Sequence, residues 1–375
     1  MVKFIPYGKQ IISEDDIAVV IDTLNSDYLT TGPKVTAFEK ALSDYCNVEH
    51  TIAVANGTAA LHLASLVLLN KGDKVLTTPN SFLATSNAIL YADAKPIFVD
   101  IAKDGNIDLD LCEEALKADN SIKAIYAVAF SGHMVNQEKL KHLRETYDIK
   151  ILEDCAHAIG AKENGIKAAS CTHSDISILS FHPVKHMTTG EGGAITTNSK
   201  VLYEKMLTLR GHGMVKTPAM KPWEYEMREL GFNYRITDMQ CALGLSQLSK
   251  LDRFIARRIE LVKRYDEAFK NTIVKPLYTY DGTSSYHLYV VQVDFSKLKL
   301  SKEDLFHRLR EKNIGIQLHY MPINKQPYYK SLGYGDEVIP KMDKYYEQCF
   351  SLPMFPKMSD KEQEYIIKTL LEVLQ

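Results

Sequence analysis

The fold is decided by the stretch Ile176-Ser-Ile-Leu-Ser-Phe-His-Pro-Val-Lys185, in which an apolar run leads directly into a turn that carries a lysine. Upstream, a second apolar run, Ile149-Lys-Ile-Leu-Glu153, ends at Asp154. Short apolar runs bounded by turns are typical of strands buried on both faces of a parallel sheet. The two runs therefore predict an α/β protein with an amine and a carboxylate at the ends of its strands.

An amine and a carboxylate in these places are the two groups that pyridoxal phosphate (PLP) chemistry needs. A lysine forms the Schiff base with the cofactor, and an aspartate keeps the pyridine nitrogen protonated so that the ring accepts electrons. Plainer explanations exist, because the chain has 45 lysines and arginines, most of which must be on the surface. Asp154 is also consistent with a strand-end aspartate that accepts hydrogen bonds from backbone amides.

Composition narrows the class of protein. With 375 residues, 45% hydrophobic and 25% charged, the chain is typical of a soluble globular protein of two or three units. A net charge of −2 without a basic block excludes a nucleic-acid or anionic-membrane footprint. No stretch is long and apolar enough to span a bilayer, and Met1–Tyr7 lacks the features of a signal peptide. Six scattered cysteines predict no metal site and no disulfides, which indicates reduced thiols and a cytoplasmic protein.

The first two thirds of the chain alternate apolar runs with amphipathic segments, which predicts βαβ crossovers and a mostly parallel seven-stranded sheet. The predicted strands are Thr51–Ala55, Lys74–Thr78, Pro96–Asp100, Ala124–Phe130, Ile149–Asp154, Ser174–Phe181 and Gly193–Thr197. The predicted helices between them are Ala59–Leu69, Phe82–Tyr91, Leu109–Ala118 and Gln137–Tyr147.

Both ends of the chain differ from this alternation. A capping-box pattern at Ser13-Glu-Asp-Asp16 predicts a helix in an N-terminal arm. The later elements predict a large domain over residues 1–249 and a smaller α+β domain over 250–375. They are helices at Asp238–Leu248, Lys250–Phe269, Lys302–Glu311, around Tyr345 and at Asp360–Leu374, and strands at Tyr286–Asp294 and Ile314–Leu318.

A phosphate site is predicted where the first strand turns into a helix, at Asn56-Gly57-Thr58. Free amides and the positive end of the helix dipole favour anions there, and a glycine lets the backbone approach closely. A plain helix cap is the alternative, since Asn and Thr are good caps. Ser180 supplies a second hydroxyl if both segments lie at one edge of the sheet, beyond the carboxyl ends of the strands.

Four further features are candidates for a site, each with a structural alternative. Phe82 follows the second strand and is placed to stack on a pyridine ring, although taken alone it is better explained as a core aromatic. His157 lies three residues after Asp154, within reach of the same ring, and the alternative is a strand-end histidine that contacts no ligand. The loop Gly231-Phe-Asn-Tyr-Arg235 carries more aromatic residues than surface loops usually do. His319 and Tyr320 are candidates to donate hydrogen bonds to a sugar or phosphate, and the alternative is that they pack between domains.

Together these motifs resemble the DegT/DnrJ/EryC1/StrS family of nucleotide-sugar aminotransferases, within the fold-type I (aspartate aminotransferase-like) PLP enzymes. The resemblance runs from Leu29-Thr-Thr-Gly-Pro33 to Gly231–Arg235. It implies that Lys185 forms the Schiff base and that Asp154 contacts the pyridine nitrogen. It further implies cofactor binding by Asn56, Gly57, Thr58, Phe82, His157, Ser180 and Asn233, and substrate binding by Tyr7, Thr30, Thr31, His182, His319 and Tyr320.

In this family the asparagine of the Gly-Phe-Asn-Tyr-Arg loop reaches the neighbouring subunit's site, so Asn233 implies a homodimer. Within the family, the sequences of these motifs are most similar to those of the pseudaminic acid branch. Enzymes of that branch transfer an amino group from glutamate to C4 of a UDP-linked 4-keto-6-deoxy-N-acetylhexosamine. The supporting stretches are Phe181–Gly193, Ser131–Val135 and His319–Tyr329. Val135 stands where many members have proline, which disfavours the perosamine and desosamine types.

Other functions stay open at this point. The alternatives are transfer to another nucleotide-linked keto sugar (GDP-perosamine, bacillosamine or 4-amino-arabinose type), a sugar dehydratase, or a non-catalytic regulator. The dehydratase branch usually has histidine in place of the lysine, and Lys185 is present here. A nicotinamide-dependent oxidoreductase is disfavoured because no Gly-x-Gly-x-x-Gly follows the first strand.

Overall fold

The computed structural model describes residues 3–375. Its strands are β1 (His50–Val54), β2 (Lys74–Thr77), β3 (Lys95–Phe98), β4 (Ile122–Val128), β5 (Lys150–Asp154), β6 (Lys162–Glu163), β7 (Ile166–Lys167), β8 (Ile176–Ser180), β9 (Gly193–Thr197), β10 (Met214–Val215), β11 (Glu226–Met227), β12 (Lys275–Pro276), β13 (Tyr289–Gln292) and β14 (Cys349–Leu352). Its α-helices are α1 (Glu14–Leu24), α2 (Pro33–Cys46), α3 (Gly57–Leu68), α4 (Leu83–Tyr91), α5 (Leu109–Ala118), α6 (Gln137–Tyr147), α7 (Lys200–Arg210), α8 (Asp238–Leu248), α9 (Leu251–Phe269), α10 (Lys302–Glu311), α11 (Pro327–Ser331), α12 (Pro340–Gln348) and α13 (Asp360–Val373).

The main sheet has seven strands in the order β1-β9-β8-β5-β4-β2-β3. Strands β8, β5, β4, β2 and β3 pair in parallel, whereas β9 runs antiparallel to both of its neighbours. All seven predicted strands are present in this sheet, and the fold class inferred from the sequence is confirmed.

Both faces of the sheet are apolar because helices cover both of them. On β4, Tyr126 packs into a cluster with α3 and α4, while its neighbour Ile125 packs on the other face with α5 and α6. Successive side chains of a strand point to opposite faces, so a strand that is buried on both sides reads as a continuous apolar run. This is why these strands read as mostly apolar runs instead of a strict alternation of apolar and polar residues.

The C-terminal part of the chain surrounds a second sheet, with strand order β12-β13-β14 and antiparallel pairing. Helix α9 contributes Leu251 and Ile255 to the core beside the main sheet, and Leu261 and Val262 to a separate core that extends to α13. Ile5 from the N-terminal arm also packs in this second core. The division at residue 250 stays a prediction.

Two predicted strands differ in the structure. Ile314–Leu318 is not a strand, and that prediction was wrong: Ile314 bridges in parallel to Ile5, whereas Gln317 bridges in the antiparallel sense to Ser351. The segment changes partner after three residues, so neither ladder extends. The strand predicted at Tyr286–Asp294 is shorter, because Tyr286 has a positive φ of 51° and β13 begins only at Tyr289.

The N-terminal arm has the predicted cap. The Ser13 hydroxyl contacts the Asp16 carboxylate at 2.8 Å, and the Ser13 amide donates to the same carboxylate at 2.9 Å. Helices α2 and α7 were not predicted. Across residues 3–375, none of the helices combines the length and apolarity needed to cross a membrane.

Candidate active site

A cavity of about 930 Å³ opens at the carboxyl ends of β5 and β8 and at the start of α3. Ligands of open parallel sheets bind at this edge, because the loops that follow the strands converge there. Twelve of the predicted site residues line it: Tyr7, Asn56, Gly57, Thr58, Phe82, Asp154, His157, Ser180, His182, Lys185, His319 and Tyr320.

The start of α3 forms an anion-binding cradle. Asn56 caps the helix, since its side-chain oxygen accepts from the Ala59 amide at 2.8 Å and its carbonyl from the Ala60 amide at 3.1 Å. The Gly57 and Thr58 amides precede the first intrahelical hydrogen bond and have no acceptor within the helix. A Cβ at Gly57 would lie 3.3 Å from the Ser180 hydroxyl oxygen, so the glycine leaves the space between helix and strand open. Two amides and two hydroxyls, from Thr58 and Ser180, thus face one small volume.

The turn after β8 presents Lys185 to the cavity. The Lys185 amide donates to the His182 carbonyl at 2.9 Å, and the Thr189 amide returns to the Phe181 carbonyl at 3.1 Å. Burial lowers the pKa of the Lys185 amine to about 8, and the nearby Asp154 carboxylate opposes that shift. An amine with a pKa near neutrality takes up and releases a proton readily.

Asp154 is a buried carboxylate fixed on both oxygens. Thr85 donates its hydroxyl hydrogen to Oδ2 at 2.6 Å, and the Ala156 amide donates to Oδ1 at 3.1 Å. Ser81 in turn contacts the Thr85 hydroxyl at 2.8 Å and is its donor, because the Thr85 hydrogen is already used. Burial raises the pKa of Asp154, while these hydrogen bonds and Lys185 favour its ionised form.

His157 is held as a neutral imidazole of one tautomer. Burial, with a further contribution from Lys185, lowers the pKa of His157 well below its usual range. The Ser131 amide donates to Nδ1 at 3.3 Å, so the ring proton is on Nε2, which faces the Tyr320 hydroxyl at 3.3 Å. The ring of Phe82, 58% exposed, stands 6.4 Å from that of Tyr320. Phe82, His157 and Tyr320 all line the cavity, so their rings are available to contact a planar ligand.

His319 closes another wall of the cavity. Its Nδ1 is 2.8 Å from the Ser351 hydroxyl, and its ring packs 5.2 Å from that of Tyr7. Burial lowers the pKa of His319 to about 3, and Lys185 contributes in the same direction. His319 is therefore an uncharged hydrogen-bonding group at neutral pH.

Three predicted site residues lie outside this cavity. Asn233 is exposed and bridges to Gly211, and Thr30 is exposed and bridges to Thr237. Thr31, also exposed, follows with a positive φ of 49°. One chain alone does not bring these residues to Lys185, and their roles stay predictions.

Sequence reasoning missed several lining residues, namely Ser81, Thr85, His62, Glu191, Tyr234, His287 and Gln317. Thr85 had a usable signal, because it lies one helical turn after Phe82 in a stretch already predicted to reach the site. His287 had none, because the expected strand at Tyr286–Asp294 indicated a sheet residue. Among residues 3–375, no group of three histidine, cysteine, aspartate or glutamate side chains is placed to hold a metal ion.

Comparisons with known proteins agree with this geometry. The sequence model of the DegT/DnrJ/EryC1/StrS aminotransferase family matches residues 10–371. The UDP-4-amino-4,6-dideoxy-N-acetyl-beta-L-altrosamine transaminase of Campylobacter jejuni subsp. jejuni (serotype O:23/36, strain 81-176) is 40% identical over 374 residues, covering 99% of this chain and 98% of the relative.

Two solved structures share the whole architecture. Helicobacter pylori PseC, an aminotransferase involved in the biosynthesis of pseudoaminic acid, superposes with a TM-score of 0.93 at 31% identity, covering 99% of both chains. The PLP form of the putative sugar aminotransferase Spr1654 from Streptococcus pneumoniae has a TM-score of 0.90 at 31% identity, covering 99% of this chain and 98% of that one.

Proposed function

This chain belongs to the DegT/DnrJ/EryC1/StrS aminotransferase family and is a PLP-dependent aminotransferase, and from that premise we propose its reaction. Glutamate donates an amino group and leaves as 2-oxoglutarate. The acceptor is C4 of a UDP-linked 4-keto-6-deoxy-N-acetylhexosamine, as in pseudaminic acid biosynthesis. Support comes from the names of the relative at 40% identity and of the matching Helicobacter pylori structure.

The single observation that carries the cofactor assignment is the presence of Lys185, Asp154 and the α3 cradle in one cavity. PLP has an aldehyde, a pyridine nitrogen and a phosphate, and each has a matching group there. We assign Lys185 to the aldehyde, Asp154 to the nitrogen, and Gly57, Thr58 and Ser180 to the phosphate. When bound, PLP supplies an electron sink for the electron pair that remains when the donor's Cα loses its proton.

Lys185 is the proton carrier in this assignment. Its Nζ would take the proton that leaves Cα of glutamate and would later deliver a proton to C4 of the sugar. A pKa lowered to about 8 suits both directions, because the amine gives up its proton near neutral pH far more readily than an ordinary lysine and can still take one up.

Asp154 is the fixed charge of the site. An ionised carboxylate that accepts from Thr85 and the Ala156 amide keeps a proton on a nitrogen placed beside it. Phe82 and His157 flank the ring plane in this assignment, and the uncharged His157 adds no positive charge next to a protonated ring.

The homodimer is part of the proposal, and charge supports it. Lys185 is the single lysine or arginine among the described residues that line the cavity, which also holds Asp154 and Glu191. Glutamate carries two carboxylates and a UDP-sugar a diphosphate, so a site built by one chain lacks the cations they need. We infer that a second copy completes it, with Asn233, Thr30 and Thr31 facing the partner's cavity.

Exposed apolar side chains support the same interface. Ile17, Ile21 and Leu24 on α1 are 45–53% exposed, and Trp223 and Tyr225 next to β11 are 74% and 66% exposed. Large apolar groups on a surface mark association sites.

All six cysteines are free and buried, which supports the cytoplasmic location expected from the sequence.

Incubation with isotope-labelled glutamate and a panel of UDP-, GDP- and dTDP-linked 4-keto sugars tests the reaction. We expect labelled nitrogen in the UDP-linked N-acetylhexosamine product, read by mass spectrometry, and 2-oxoglutarate in equal amount. Transfer only to a GDP- or dTDP-linked sugar would show that the chain is an aminotransferase with a different nucleotide-sugar acceptor, and would contradict the proposed UDP-linked acceptor. Loss of water from the sugar without nitrogen transfer would identify a dehydratase and contradict the proposal.

A further inference from the structure

His287, which lines the cavity, belongs to the crossing segment (residues 285–288), and this segment lies against the loop at Ser131 and Gly132. The Ser285 amide donates to the Gly132 carbonyl at 3.1 Å, and the His287 amide donates to the Ser131 carbonyl at 2.7 Å. Gly132 has a positive φ of 102°, and a Cβ there would lie 2.6 Å from the Tyr286 amide nitrogen. The stretch Ser131–Val135, which the sequence singled out only as a subfamily feature, thus begins with the docking point of this segment.

Arg258 of α9 holds the crossing segment from its other side. Its guanidinium is 1% exposed and donates from Nη1 to the carbonyls of His287 and Met354, both at 3.1 Å. None of the ion pairs formed within residues 3–375 includes Arg258. A buried cation without a counter-ion is unfavourable, and these hydrogen bonds to carbonyl oxygens compensate for it while tying the backbone of His287 to α9.

The side chain of His287 lies between two other imidazoles. Its ring centroid is 4.3 Å from that of His157 and 5.7 Å from that of His186, the residue after Lys185. His186 also donates from Nε2 to the Ser285 carbonyl at 3.0 Å. Nδ1 of His287 has no hydrogen-bond partner among the described residues, so its contact with His157 is a ring contact. The ring plane of His287 is inclined by 45° to that of His157 and by 47° to that of His186, so it packs between them without stacking.

We propose that His287 is a positioning residue, whose ring keeps the His157 imidazole in the plane against which the cofactor ring packs. This inference rests on the proposed function, in which His157 flanks the ring. The tautomer of His157 is set by Ser131, and the tilt of its ring is set by His287. Both are tied to one loop, because Ser131 donates its amide to His157 and accepts from the His287 amide.

The test compares His287→Ala, which removes the ring, with His287→Phe, which keeps a flat ring of similar size without nitrogens. PLP is titrated into each purified full-length protein, and circular dichroism of the bound cofactor reports how rigidly it is held. We expect His287→Ala to raise the PLP dissociation constant about tenfold and to weaken the cofactor dichroism. His287→Phe should restore the dissociation constant to within about twofold. His307→Ala is the matched control, because His307 is 74% exposed on α10.

Equal PLP affinity and dichroism in His287→Ala and the wild type would overturn the proposal. A His287→Phe variant as weak as His287→Ala would also overturn it, since the nitrogens would then matter more than the ring. If His287→Ala fails to fold, His287→Leu fills the volume without a flat face and is expected to show the same loss. The proposed function fails separately, if the wild-type protein does not attach PLP to Lys185 at all.

Discussion

Removal of the Thr85 hydroxyl is the perturbation whose effect follows most directly from the geometry. Thr85 is buried, and its hydroxyl donates to Asp154 Oδ2 at 2.6 Å. Thr85→Val keeps the shape of the side chain and removes only that donor. The carboxylate is then left with the Ala156 amide as its donor within the protein.

The size and sign of the effect can be worked out. A hydrogen bond to a charged group contributes about 1.5–3 kcal/mol, which corresponds to about one to two units of pKa. Burial already raises the pKa of Asp154, and loss of a donor to its ionised form raises it further. A less readily ionised Asp154 holds the ring nitrogen's proton less firmly, so kcat/KM should fall about tenfold to a hundredfold.

The assay is steady-state amino transfer from glutamate to the accepted keto sugar, with melting temperature as the check on folding. Thr208→Val is the control, since the Thr208 hydroxyl donates to the Glu204 carbonyl at the surface of α7. Asp154→Asn gives the larger reference loss. The reasoning is refuted if Thr85→Val keeps kcat/KM within about twofold of wild type while Asp154→Asn is strongly impaired.

Three further outcomes are expected. Gly193→Ala would place a methyl group 2.6 Å from the Asn56 carbonyl carbon, and we expect it to lower PLP affinity about tenfold or more. Gly211→Ala is the control, because no atom lies nearer than 3.9 Å to the added methyl group. Equal PLP affinities of the two variants in a titration would contradict this prediction. In the cofactor-free protein, the folded chain releases the Lys185 proton near pH 8 and the unfolded chain near 10.5. Between these pH values the free energy of unfolding should therefore rise with pH more in the wild type than in Lys185→Met. Denaturant midpoints at both ends of the range measure this difference, and parallel pH dependences of the two proteins would contradict it. Mixed dimers of Lys185→Ala and Asn233→Ala subunits should regain transaminase activity that neither variant has alone, because one of their two sites then has both residues intact. If mixing restores no activity, Asn233 acts in the site of its own chain.

The local sequence pattern was sufficient to predict the strands of the large sheet. It did not determine which segments pair with one another. All seven strands could be predicted because helices cover both faces of the sheet, which makes the strand sequences mostly apolar. The segment Ile314-Gly-Ile-Gln-Leu318 was also predicted as a strand from its sequence, yet it bridges first to Ile5 and then to Ser351. That change of partner depends on contacts distant in sequence, which periodicity does not contain.

The candidate site divides in the same way. Asp154 and Ser180 were predictable because they end β5 and β8, and Lys185 because it lies in the turn after β8. The carboxyl ends of parallel strands meet at one edge of the sheet. Thr85 and His287 act through neighbours far along the chain, Asp154 and His157 respectively. Only the folded structure reveals those pairs.

The central claim is the covalent bond between Lys185 and the cofactor, and chemical trapping tests it most directly. The purified enzyme, loaded with PLP, is reduced with borohydride, digested and mapped by mass spectrometry. The account predicts one modified peptide, with the phosphopyridoxyl group on Lys185. Modification of a different lysine, or a cofactor that leaves the protein unreduced and unattached, would contradict it.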